Sequence, residues 1–447
     1  MDFYDMYPQR FYLLSVRSNR LFSFISEDRT LENEVEQFFE QLPKVEGGNL
    51  HAEFRFETSM LEAAITLSDR LKDAYPSIQQ LPTYFRQLAE GDYFVRQNAS
   101  VPLLDIKRSI IRVKAHADGE DQRKYDNAFS MNWGVLYLKF EAHSYGFINN
   151  RIKIGEPDKN KRVCRFCGTT GKEHFKEDAH AIVEALGNKL LFCNEECDQC
   201  NQRFEGEVEK YLFKFCEIPR TIANISGKGS QTHHLEGLNF HIHPDPDTLR
   251  PVVYVMNEHI VNDSYKGHPT GKIHLYNKGE ISYWGVYKSL IKIAVDLIPE
   301  DKFPHFKQTA AWVHGDFEAE NLPPFLYGEH NDFFQQPVLD LFFRNEQSPS
   351  FSPYCTCILY VFSSIFIFTV PFCDLDDPAA LTADSLNAHW GLFKSEQYLY
   401  IQEWEEYDSN DKTLLTPLYK LNIFEKKPNY DLQFKPATDK VFEIVRN

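Results

Sequence analysis

The chain lacks an excess of positive charge. Its 48 Lys and Arg stand against 65 Asp and Glu, a formal net charge of -17, and this excludes tight binding of bulk nucleic acid by charge alone. It also lacks a leader pattern: MDFYDMYPQRFYLL carries acids where a basic stretch would be needed, and no long apolar segment with a small-residue cleavage site follows. A cytoplasmic protein is expected. Internal repeats and low-complexity segments are missing too, and with 43% hydrophobic and 25% charged residues nothing resembles a disordered chain. One run has no charge, CTCILYVFSSIFIFTVPF at 355–372. Its length suits a membrane span, but its β-branched and aromatic content, the Ser363-Ser364 split and Pro371 predict two buried strands joined by a short turn, and no membrane.

What is present suggests an α+β protein of two to three domains in 447 residues. Residues 1–155 read as an N-terminal α+β domain of unknown role. Helices are expected in DRTLENEVEQFFEQL and TSMLEAAITLSDRLKDAY, strands in LHAEFRFET and NWGVLYLKFEAH. Gly155-Glu156-Pro157-Asp158 reads as a linker. Residues 156–225 hold a cysteine-rich segment. Residues 226–447 read as a mixed helix and sheet region with a regulatory or recognition role. It includes a helix in ISYWGVYKSLIKIAVDLIP, where Tyr287, Leu290, Ile291, Ile293 and Ala294 recur at helical spacing, and sheet in segments such as QYLYIQEW.

Charge divides unevenly among these parts. Residues 1–150 carry 17 basic against 22 acidic side chains, residues 151–230 carry 14 against 13, and residues 231–447 carry 17 against 30. The middle alone escapes the acidity. Its RIKIGEPDKNKRVCR stretch (151–165) holds six basic residues against two acidic ones, which fits either a phosphate-contacting strip or a solvated charge run.

Nine cysteines stand at 164, 167, 193, 197, 200, 216, 355, 357 and 373, five of them within 37 residues. Cys164-x2-Cys167 and Cys197-x2-Cys200 are paired knuckles, the spacing with which four thiolates converge on one structural zinc. Cys193, in the apolar run KLLFC, reads as a strand residue that could substitute as a ligand. A redox role would want a single CxxC in a βαβ setting, which is absent. His174, His233-His234 and His241-x-His243 could suggest a second metal, but no partnering Cys or carboxylate motif accompanies them.

Between and after the knuckles the order is Cys-x2-Cys, His180, Asn188 in LGN, then ECDQCN with Asn201. Over about residues 163–215 this resembles the HNH endonuclease family, in its subgroup with a four-cysteine zinc, and more loosely through ISGKG (225–229) and VYKSLIKIAVDLIP. The resemblance implies a ββα-metal core. The residues agree locally: FKEDAHAIV can form a strand and turn and NKLLFC a second strand. Asn194 can cap a helix from about Glu195 to Phe215, which Pro219 then stops.

By resemblance, His180 is the general base, Asn188 holds its imidazole in position, and Asn201 on the helix ligates a catalytic magnesium or manganese ion. A carboxylate often precedes the family's histidine. Here that position is Ala179, and Asp178, which shares a strand face with His180, is the expected second ligand. Asp198 reads as a helix-dipole acid or a further ligand. The function implied is metal-dependent hydrolysis of DNA, gated by a ligand, a protein partner or a second copy of the chain, in defence against foreign DNA. The alternatives are a non-catalytic zinc-binding interaction module and an RNase of the same fold.

Overall fold

The computed structural model describes residues 9–15, 21–26, 29–43, 53–98, 139–146, 151–223, 225, 234–244, 251–256, 260–265, 268–349, 351–394, 404–424, 433–438 and 441–445. The fold mixes helices and strands, as the sequence predicts. The chain forms two compact units: residues 1–139 with 392–398, and residues 140–391 with 399–447.

In the first unit, β1 (Gln9–Ser15), β2 (Leu21–Ser26), β3 (Glu53–Arg55) and β4 (Tyr93–Asn98) form an antiparallel sheet in the order β2-β1-β4-β3. Helix α1 (Arg29–Gln41) buries Leu31, Val35, Phe38 and Phe39, and α2 (Thr58–Leu71) buries Met60, Ala64 and Leu67. Both patterns place one apolar stripe toward a core. The first-turn amide of Thr58 donates to Glu90 at 2.8 Å, supplying the cap that α2 lacks in its own side chains. Phe54 stacks on Phe94 with ring centroids 5.1 Å apart, and α3 (Gln80–Phe85) adds Phe85 to the same cluster.

The second unit contains the cysteine-rich segment and almost all of the described C-terminal region. β5 (Phe140–Tyr145) pairs with the far half of a long strand described below. β6 (Ile152–Ile154), β7 (Ala179–His180) and β8 (Leu191–Cys193) form a small sheet, with β6 parallel and β7 antiparallel to β8. Three short helices follow: α4 (Asp198–Glu207), α5 (Glu209–Phe215) and α6 (Glu217–Ile222). β9 (Leu235–Glu236), β10 (Phe240–Pro244), β11 (Pro251–Met256), β12 (Ile260–Tyr265) and β13 (His268–Tyr276) build further antiparallel sheet.

Helix α7 (Tyr283–Leu297) runs through the core. Every residue from Gly285 to Leu297 is buried, so the periodic stripe read in the sequence is part of a helix enclosed on all sides. Ser282 caps it by accepting from the Gly285 amide at 3.2 Å, and it ends where Ile298 turns extended before Pro299. A Cβ on Gly285 would lie 2.4 Å from the Tyr211 ring, so glycine permits α7 to approach α5.

β14 (Phe325–Arg344) and β15 (Cys355–Thr369) pair over most of their length, with register shifts between Glu329 and Phe334 and between Phe334 and Val338. The expected hairpin at 355–372 is therefore corrected to one strand, buried at every position. Ser363 and Ser364 do not turn the chain because their hydroxyls are satisfied in place, at 2.9 Å from the Tyr419 hydroxyl and 3.3 Å from that of Tyr327. One apolar core joins the cysteine segment (Phe166, Phe175, Leu186, Phe204), α7 and these two strands. Among the described residues no helix is long and apolar enough to cross a membrane. Most of QYLYIQEW, ISGKG and NWGVLYLKFEAH, and His233, lie outside the described residues.

Candidate active site and zinc centre

Each knuckle is shaped by its own backbone. The Gly168 amide donates to the Cys164 carbonyl and the Cys164 amide to the Thr169 carbonyl, both at 2.9 Å, and Gly168 takes φ +71° at the turn. Cys197 is the extended residue before α4, whose first turn carries Cys200 and Asn201. The four Sγ atoms of Cys164, Cys167, Cys197 and Cys200 lie within 4.8 Å of one another, with Cys167 and Cys197 3.6 Å apart. Four sulfurs at about 2.3 Å from one zinc would sit about 3.8 Å from each other, so this donor set fits a tetrahedral zinc. The hydrogen bond from Cys200 draws the Cys164 thiol down to about 5, while burial pushes Cys197 up to about 12. Zinc binds cysteine as thiolate, so its binding at this cluster would release thiol protons. Cys193 lies in β8 outside the cluster, where burial pushes its thiol well up.

The knuckles frame a ββα unit. In β7, Ala179 pairs with Cys193 and His180 with Phe192. Ala179 is buried, at 2% exposure, whereas the His180 side chain keeps 27% and its Nε2 lies 3.6 Å from Glu184 Oε2. The imidazole rests against Phe192, centroids 4.5 Å apart. Asn188 is buried and clasps the loop between the strands. Its Nδ2 donates to the Ile182 and Leu191 carbonyls at 2.7 and 2.8 Å, and its Oδ1 accepts from the Leu190 and Leu191 amides at 3.2 and 2.9 Å. These bonds take up the side chain's amide, which is spent on the loop backbone.

Asp178 accepts from Lys153 at 2.6 Å and from Arg151. Partial burial works to raise its pKa, but the Lys153 hydrogen bond and the charges of Lys153, Arg151 and Lys159 outweigh it and hold the carboxyl below its ordinary value. Asp198, in the first turn of α4, accepts from the Lys176 and Glu177 amides at 3.1 and 3.0 Å, fastening the approach to β7 onto the helix. The basic strip is largely spent internally as well. Beyond Arg151 and Lys153, Arg162 donates to the carbonyls of Glu156 and Pro157, and Arg165 is buried.

Several local expectations are corrected. The helix starts at Asp198, not Glu195. Asn194 instead extends the small sheet, its amide donating to the Ile154 carbonyl at 2.8 Å. The helix also breaks at Val208, whose carbonyl is taken by the Ser289 hydroxyl of α7 at 2.5 Å, and Pro219 lies inside α6 in the first turn, where its missing amide is not needed. Gly155–Asp158 is no linker: Arg162 and Glu195 hold it onto the module.

Sequence reading missed two charged links to α7. Arg165, between the first two cysteines, pairs with Glu195 at 2.8 Å and donates to the carbonyls of Val295 and Ile298 at the end of α7. Lys292, fully buried on α7, lies 3.0 Å from Glu196, 2.8 Å from Glu209 and 3.0 Å from Asp296. Burial alone would pull its ammonium down, and the three carboxylates more than reverse this. The signal was Lys292 and Asp296, four apart within the apolar stretch of the helix.

Residues 164–215 match the family model described as HNH endonuclease. This stretch is an HNH endonuclease domain. No curated protein and no solved structure matched the chain. An HNH domain implies a nuclease, and its match covers both knuckles, His180, Asn188 and Asn201. Among the described residues the four cysteines are the one set of three or more metal-ligating side chains brought together. His234 and His243 lie 3.4 Å apart and the His241 ring packs on that of His243, centroids 4.7 Å apart, without forming such a set.

Proposed function

We propose that the chain is a metal-dependent HNH endonuclease that hydrolyses phosphodiester bonds in DNA. The observation that carries this reading is His180, partly exposed on β7, in one segment with the four-cysteine cluster and the helix that bears Asn201, a segment matching the HNH family. His180 takes the proton from the attacking water, and imidazole chemistry suits that role near neutral pH. Glu184, 3.6 Å from Nε2, favours the imidazolium that results. Asn188 holds the strand pair on which His180 stands. Asn201 and Asp178 hold magnesium or manganese, which neutralises charge on the scissile phosphate when bound. Zinc on Cys164, Cys167, Cys197 and Cys200 staples the unit.

The acidic flanks and the internally paired basic strip support cleavage gated by a ligand, a protein partner or a second copy, and the family resemblance supports defence against foreign DNA as the setting. Purified protein incubated with plasmid DNA and magnesium or manganese, beside H180A, tests the reading. Metal-dependent nicking by the wild type and loss in H180A are expected. Equal cleavage by both sinks the role of His180, and no cleavage by either under gating-permissive conditions favours a non-catalytic zinc module. A parallel RNA substrate separates DNase from RNase.

A further inference from the structure

Lys292 stands on α7, outside the HNH segment, yet its Nζ reaches the backbone carbonyl of His180 at 3.4 Å. The same ammonium contacts Glu196, just before the second knuckle, Glu209, at the start of α5, and Asp296, one turn along its own helix. An ammonium carries three N–H donors, so the His180 carbonyl shares them with the carboxylates. A fully buried cation is costly unless paired in this way, and a leucine would fill the same volume beside Ile291 and Ile293. The lysine supplies something apolar packing cannot: a donor that ties four chain segments to one point.

That point is itself fixed. Arg165 donates to the carbonyls of Ile298 and Val295 at 2.7 and 2.9 Å, so the end of α7 is registered against the first knuckle. Lys292 lies less than two turns further in. The strand carrying His180 and the helix carrying Asn201 are therefore both referenced to a helix from the C-terminal region.

We infer that Lys292 is a positioning residue for His180: through the His180 carbonyl it sets where the base stands relative to the zinc-stapled helix, so the C-terminal region controls the nuclease site. This rests on the reading of His180 as the base. Lys292 touches no substrate, so its loss lowers kcat and leaves KM for DNA nearly unchanged. A base displaced by a fraction of an ångström to 1 Å costs about 10- to 100-fold.

The test uses the full chain. K292M is compared with wild type and with E209Q, which loosens the same charge cluster but leaves the donor to His180. Zinc content, plasmid cleavage kinetics and hydrogen exchange of the 179–182 segment are measured. The expected result is retained zinc, a roughly 10- to 100-fold fall in kcat in K292M alone, KM within about twofold, and faster exchange at Ala181, whose amide bonds the Leu191 carbonyl. Should K292M lose its zinc, the paired K292M/E209Q variant, which removes one cation and one anion together, is read in the same way. Unchanged kcat and exchange, or equal losses in K292M and E209Q, overturn the inference. If H180A cleaves like wild type while K292M still speeds exchange in the β7 segment, the base assignment has failed and the tie to β7 stands.

Discussion

The guanidinium of Arg165, from the loop between the first two zinc-knuckle cysteines, donates at 2.7 Å to the carbonyl of Ile298, the residue that ends α7. A motif that reads as a local metal staple is thus also the cap of a core helix 133 residues away. Arg165 is buried, donates to the Val295 carbonyl as well, and pairs with Glu195. R165A leaves Glu195 without this partner and strips the last-turn carbonyls of their donor. A loss of about 3–5 kcal/mol is expected, read as a lower midpoint in denaturant unfolding. R165K, which lacks the fork geometry, recovers only part of it.

Asn188 makes four hydrogen bonds to backbone in the loop between β7 and β8. N188A removes them from a buried site, at an expected cost of about 2–4 kcal/mol. N188D keeps the shape but turns a carboxylate oxygen toward the Ile182 and Leu191 carbonyls, so it destabilises at least as much at neutral pH. Thermal unfolding checks both, and N188D as stable as wild type would show that the two Nδ2 bonds contribute nothing.

Asp178 separates a structural role from a metal-binding one. Its folded pKa lies below the ordinary carboxyl value, so its pairing with Lys153 and Arg151 stabilises the protein above the unfolded pKa of about 4 and is lost as pH falls through the folded value. For a partly exposed pair the effect is under about 1 kcal/mol. D178N is expected to lower stability slightly at pH 7, with the difference from wild type vanishing in acid, and to abolish metal-dependent cleavage. Full cleavage by D178N, titrated over magnesium concentration, removes Asp178 from the metal site.

Metal analysis of the purified chain is expected to return one zinc. C197S and C200S lose it, and with it the ββα unit, because so small a segment relies on the staple and the thiolates have no other partner of equal strength. Circular dichroism and cleavage after chelation follow the same loss. A chain that keeps its fold and its cleavage without zinc would contradict the role assigned to the knuckles.

Much of the HNH segment is legible in the sequence. The CxxC spacings convey a four-cysteine cluster because metal geometry constrains spacing directly, and the β, β, α order is what the family resemblance implies, with the local residues agreeing. The apolar stripe of residues 287–294 showed α7 as a helix, since helical periodicity is a one-dimensional signal. Helix ends were read less well. The helix breaks at Val208, whose carbonyl accepts from the distant Ser289 hydroxyl as well as from the Tyr211 amide, and Asn194 joins a sheet through Ile154.

The sequence by itself determined the four-cysteine cluster, the order of the HNH residues and the helical register of α7, all set by spacing along the chain. Tertiary structure alone decided that 355–369 is one buried strand, that Asp178 is held by two cations, and that Lys292 and Arg165 bind the nuclease segment to α7. These depend on which groups meet after burial. An ion pair between residues a hundred apart leaves no periodic trace, and only the desolvation of charges in the folded core shows that such partners must be found.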